Sequence, residues 1–145
     1  MQLHPPASIE TKTLLRGVPL FADATDKEID AVARVARTVE FPQGAVICAE
    51  GVTGIGLHVI AAGTVNVSSS HSADARLGPG AYFGEIALVD GGSRMATVTA
   101  ETPVTTLAIV SWEFRHIMET QPQVVHHLVL ELCRRLRDQA AAFSH

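Results

Sequence analysis

The chain has 145 residues, 47% of them hydrophobic and 18% charged, with a net charge of −4. That length supports one domain with a core of its own and is short for two, and the composition is that of a globular chain. No broad patch gathers Lys and Arg, no run is long enough to span a bilayer, and the amino terminus lacks a basic region followed by an apolar one. A cytoplasmic protein contacting neither nucleic acid nor membrane is therefore expected. Cys48 and Cys133 show no metal-ligand spacing and read as reduced thiols, and the histidines show no His-x-His or His-x-x-x-His pattern, which leaves a metal-dependent barrel enzyme without ligands.

In chain order, residues 1–13 are expected to form a flexible arm, because Pro5, Pro6 and small polar residues dominate it. Leu14 and Leu15 open a short helix that stops before Pro19, and Leu20–Phe21 is an apolar plug. Thr25 with Glu28 fits a capping box, and Ile29, Val32, Ala33 and Ala36 recur at helical spacing, so a helix is expected from about Asp26 to Arg37. From Thr38 to Val110 short apolar runs alternate with glycine turns: Ala45 to Ala49, Leu57 to Ala61 and Gly63 to Ser69 read as strands, and Ser68 to Asp74 as a polar loop. Strands at this spacing imply a closed or nearly closed antiparallel β-roll over about 38–110. Ser111 to about Glu119 reads as a helix, and Pro122 starts a last one whose Val125, Leu128, Val129, Leu132 and Leu136 form a stripe, so helices fill about 111–143. Arg134, Arg135 and Arg137 read as a solvated helix end.

The stretch Phe83 to Ala100 carries the chemistry. Gly84 and Glu85 precede Ile86 to Val89, one turn of helix, and Gly91–Gly92 let the backbone turn sharply before Arg94. The free N–H groups of a helix's first turn attract an anion, and an arginine arriving from the far side of the turn can fork onto the same phosphate. A carboxylate at Glu85 would repel a di- or triphosphate but can accept from a ribose hydroxyl beside a singly charged phosphodiester. The residues favour a nucleotide with one phosphate charge.

This stretch closely resembles the phosphate-binding cassette of cyclic nucleotide-binding domains, the sensor domains of cAMP receptor protein, protein kinase A regulatory subunit and cyclic nucleotide-gated channel type. The family pattern Phe-Gly-Glu-(Leu/Ile)-Ala-Leu, a variable turn, then Arg-(Ser/Ala/Thr)-Ala-Thr-Val is matched by Phe83 to Leu88 and by Arg94 with Ala96 to Val98. The resemblance extends from about Leu14 to the last helix, so the domain is expected over 14–145. It implies an α+β, mainly β fold: an antiparallel eight-stranded, jelly-roll-like β-roll flanked by N-terminal helices and two C-terminal helices. It implies that Glu85 and the Gly84 amide hold the ribose 2′-hydroxyl. Arg94 and the N–H groups of Ile86, Ala87 and Met95 would hold the cyclic phosphate, with Ala96 completing the cassette.

Two positions depart from the pattern. At Ile55 relatives carry an acidic or polar residue that orients the arginine. At Met95 the family has Ser, Ala or Thr, and the Thr hydroxyl that favours guanine is missing. The ligand expected is therefore 3′,5′-cyclic AMP (cAMP) ahead of cyclic GMP (cGMP), with no catalytic residues and no metal. The implied output is movement of the C-terminal helix relayed to a protein effector in trans, and a homodimer through that helix is the assembly it would allow. A degenerate fold of the same family, kept for protein contact or oligomerisation, is the alternative.

Overall fold

The computed structural model describes residues 3–4, 9–53, 56–70 and 72–143. Helix α1 (Ile9–Arg16), a 3-10 turn at Pro19–Phe21 and helix α2 (Asp26–Val35) lead into the strands. These are β2 (Arg37–Phe41), β3 (Val46–Cys48), β4 (Gly56–Ala62), β5 (Val65–Ser69), β6 (Ser72–Leu77), β7 (Tyr82–Phe83), β8 (Thr97–Ala100) and β9 (Val104–Val110), preceded by a two-residue β1 (Leu3–His4). Helix α3 (Glu85–Asp90) interrupts them between β7 and β8, and α4 (Ser111–Thr120) and α5 (Pro122–Phe143) end the chain.

All pairings are antiparallel, in a five-stranded sheet ordered β1-β2-β9-β4-β7 and a four-stranded sheet ordered β3-β8-β5-β6. The expected eight-stranded roll is present as β2 to β9. The central strands β4 and β9 are buried on both faces, which is why they read as continuous apolar runs. Leu57, Val59, Leu107 and Ile109 point to one face, where they pack with Leu15, Phe21, Ile29, Phe114 and Leu128 of the helical layer. The alternate residues His58, Ile60, Thr106 and Ala108 turn the other way, into the roll, where Ile60 meets Val65, Phe83, Val98 and Val104.

Several boundaries differ from the sequence reading. The first helix opens at Ile9 rather than Leu14, and Leu3–His4 pairs with β2, so the stretch 1–13 contains regular structure; Pro5 and Pro6 lie outside the described residues. Helix α2 stops at Val35 because Arg37 already pairs with Ala108. Its capping box forms as expected, with Thr25 Oγ1 accepting from Glu28 N at 3.2 Å and Thr25 N donating to Glu28 Oε1 at 2.7 Å. Of the polar stretch 68–74, Ser68 and Ser69 end β5 and residues 72–74 already belong to β6. Strand β6 begins at Ser72 and runs beside β5 in the register Val65↔Leu77, Asn66↔Arg76 and Val67↔Ala75. Its outer face meets solvent, so ladder hydrogen bonds rather than apolar burial hold it, and composition gives no sign of it.

Candidate functional site

Helix α3 begins at a backbone reversal. Gly84 caps it in the left-handed region (φ 87°), where a Cβ would collide with the Arg94 guanidinium and the Gly56 carbonyl. The first intrahelical bond runs from Leu88 N to Gly84 O at 3.0 Å, so the N–H groups of the turn before it have no acceptor within the helix. Gly91 (φ 68°) ends the helix, and the chain crosses back to Arg94. There the backbone is pinned on both sides: Arg94 N donates to Val52 O at 2.9 Å and Gly51 N donates to Arg94 O at 2.8 Å. The main chain of Arg94 is thus held by the turn at residues 51–52.

Gly84, Glu85, Ile86, Ala87, Arg94, Met95 and Ala96 all line one cavity of about 270 Å³, together with Val67, Leu77 and Phe83. Among the described lining residues, Glu85 and Arg94 alone carry charge at neutral pH. Arg94 is only 7% exposed. One of its Nη groups donates to the Gly56 carbonyl, and its Nε and other Nη have no acceptor among the described residues. A buried guanidinium with two unmet nitrogens beside unpaired helix N–H groups has the donor set that an anion completes. The nearby groups leave that charge uncontested. Burial, with Arg94 adding to it, holds His58 down to about 3, so the ring is neutral. It lies stacked on Phe83 at 5.1 Å with Nδ1 2.9 Å from Thr106 Oγ1. Burial likewise pushes the Cys48 thiol up, against a smaller opposing pull from Arg94.

The two departures fall differently. Ile55 lies outside the described residues. Arg94 nonetheless has an orienting acceptor, and it is main chain: the Gly56 carbonyl replaces the side chain that the sequence reading found missing. Met95 stands at the cavity rim, 70% exposed.

The sequence reading missed Arg135. Taken there as part of a solvated helix end, it is half-buried, and its Nη1 lies 3.1 Å from Glu85 Oε1 while its Nε lies 3.5 Å from Glu131. Arg134 does face outward and pairs with Glu131 and Asp138, and that hydrogen bond holds Glu131 below its usual range. The signal available was spacing: Glu131 and Arg135 are four apart and share a helix face. Nearer the root of α5, His127 Nδ1 sits 3.2 Å from the buried Glu28 carboxylate of α2, without hydrogen-bond geometry. Between the cassette and the last helix, Leu88 and Leu128 share the helical core, and Ile86 and Val89 line a small cleft with Leu132. Leu136 is 65% exposed and takes no part.

Comparison with known proteins decides the family. The profile of the family described as Cyclic nucleotide-binding domain matches residues 38–121. The chain belongs to that family. The cyclic nucleotide-binding domain is 36% identical over 77% of its length to a cyclic nucleotide-gated potassium channel of Mesorhizobium japonicum, and 33% identical over 86% to the cyclic AMP receptor protein of Thermus thermophilus. It spans 31% of the first relative and 60% of the second. Among solved structures, it matches the N-terminal domain of a transcriptional regulator from Streptomyces coelicolor with a TM-score of 0.79 and 31% identity, covering 91% of this chain and 96% of that one. The family is a ligand-binding regulatory one, not an enzyme class. Among the described residues no helix is long and apolar enough to cross a membrane.

Proposed function

We propose that the domain binds cAMP in preference to cGMP and relays its occupancy through α5 to a protein effector. The observation that carries this reading is Arg94, buried with two nitrogens that have no acceptor among the described residues, opposite the unpaired N–H groups of α3. The cyclic phosphate would take those nitrogens and the N–H groups of Ile86, Ala87 and Met95, and the ribose 2′-hydroxyl would take Glu85 and the Gly84 amide, with Ala96 against the ligand. Preference for adenine follows from Met95, which offers guanine no hydroxyl, and from the apolar walls at Val67 and Leu77. Arg135 ties α5 to the same carboxylate, so ligand and helix meet at Glu85. The exposed face of α5, with Val125, Val129 and Leu136, is the surface an effector or a second copy would engage.

Titration calorimetry with cAMP and cGMP tests the binding. Amide exchange across 124–143, measured with and without cAMP, tests the relay, and deletion of the residues after Leu136 should weaken binding and leave the roll folded. Absence of binding by either nucleotide would leave the second reading, a fold kept for protein contact, which Glu85 favours by being already engaged with Arg135.

A further inference from the structure

The roll holds a second hollow that the cassette does not use. β2 and β3 follow each other in the chain but belong to different sheets and do not pair, so the sheets part along that side. A cavity of about 610 Å³ opens there, walled by Val39, Ile47 and Val110. Around its mouth stand Val46, Val52 and Trp112, which are 60%, 58% and 62% exposed. Three large apolar side chains held in water around one opening are a feature that monomeric surfaces keep when the opening takes a ligand.

The charges inside select its chemistry. His58 and Cys48 line the cavity, and both are uncharged at neutral pH: burial holds the imidazole down to about 3 and pushes the thiol up. Arg94 is on the lining, buried and with its Nε and one Nη lacking an acceptor among the described residues, and Arg37 and Glu113 on the same lining are one cation and one anion whose formal charges cancel. The net charge facing an occupant is therefore one guanidinium at the bottom of an apolar pocket.

We propose that this cavity is a second ligand site that takes a small amphipathic monoanion, an alkyl or aryl body against the valine and isoleucine walls with its carboxylate toward Arg94. Burial of the hydrocarbon supplies the attraction, and the carboxylate gives the guanidinium the partner it lacks on that side. Arg94 lines this cavity and the cassette alike, so it is the partition between them. An anion behind it would compete with a phosphate in front for the same donors and lower nucleotide affinity. That coupling rests on the proposed nucleotide site, whereas binding of the anion does not.

Trp112 is the only tryptophan of the chain and stands at the mouth, so its fluorescence reports occupancy. Octanoate and 4-phenylbutanoate serve as the alkyl and aryl probes and octanamide as the neutral counterpart. Saturable binding of either acid at one per chain is expected, with octanamide weaker by about tenfold or more, since it cannot neutralise the guanidinium. The Val46 side chain is 60% exposed, so charges there are tolerated by the fold. Val46→Glu should weaken the acid by about tenfold while Val46→Lys does not, and neither should shift cAMP affinity more than about twofold in the absence of the acid. A response that never saturates, equal affinity for octanamide, or an unchanged affinity in Val46→Glu overturns the proposal. Failure of cAMP to bind the wild type would sink the nucleotide reading and leave these three outcomes as decisive as before.

Discussion

Replacing Arg94 by methionine should stabilise the free domain while removing its ligand affinity. The side chain is 7% exposed, donates one hydrogen bond to Gly56 and has two nitrogens without an acceptor among the described residues. Each unmet buried donor costs about 1–3 kcal/mol, and one bond from a charged donor returns about 1.5–3 kcal/mol. Two against one, at matching ends of these ranges, leaves a net penalty of about 0.5–3 kcal/mol, which a thioether of similar length avoids. For a domain of this size that is a rise of about 2–10 °C in Tm. Binding moves the other way: loss of the charged partner of a desolvated anion costs about 2–5 kcal/mol, which weakens cAMP by about thirtyfold to several thousandfold. Scanning calorimetry of the ligand-free proteins reads the first effect and titration calorimetry the second. A variant that melts below the wild type would refute the claim that the unmet donors are a cost, and one that binds cAMP within threefold would refute Arg94 as the phosphate partner.

Two further substitutions test other parts of the site. Met95→Thr should narrow the cAMP-to-cGMP affinity ratio by about fivefold, the worth of one neutral hydrogen bond, and an unchanged ratio in competition binding would remove residue 95 from base selection. His58 is held neutral in the fold with a pKa near 3 against 6.5 unfolded, so the unfolded chain takes up its proton first as the pH falls. The stability it contributes is intact above pH 6.5 and is lost between pH 6.5 and 3 at about 1.4 kcal/mol per unit. Urea midpoints at pH 6 and 4.5 should therefore fall less steeply in His58→Gln than in the wild type, and parallel slopes would reject the assignment.

The roll and the cassette were legible because local chemistry fixes them. Gly84 and Gly91 are required by left-handed backbone, and the Thr25–Glu28 box is read off two residues three apart. What escaped depends on partners distant in sequence. Glu85 and Arg135 are fifty positions apart, and nothing local tells a paired arginine from a solvated one. The acceptor for Arg94 was sought among side chains at position 55 and lies on the main chain of residue 56, which no pattern of residue types can register. Strand β6 was missed for the related reason that its ladder partner, not its own composition, makes it a strand.

The position of Glu85 determines how a ligand and α5 would act on each other. Its Oε1 already accepts from Arg135, yet a carboxylate has room for about four hydrogen bonds, so a ribose hydroxyl can be added without releasing the helix. Ligand and Arg135 then hold the same group from two sides, and each lowers the ordering cost that the other would meet alone. On that account cAMP shifts α5 toward its docked arrangement only to the extent that it binds this arrangement more tightly. Arg135→Gln separates the two events. Both partners of the pair are 22% exposed, so the tie lies between a surface pair and a buried one and is worth about 1–2 kcal/mol, which bounds the affinity lost at about five- to thirtyfold. Protection of α5 amides on adding saturating cAMP should disappear in the variant while protection in the cassette remains. If α5 is still protected in Arg135→Gln as it is in the wild type, the Glu85–Arg135 pair is not the route, and the apolar cleft that Leu132 lines with Ile86 and Val89 carries the signal instead.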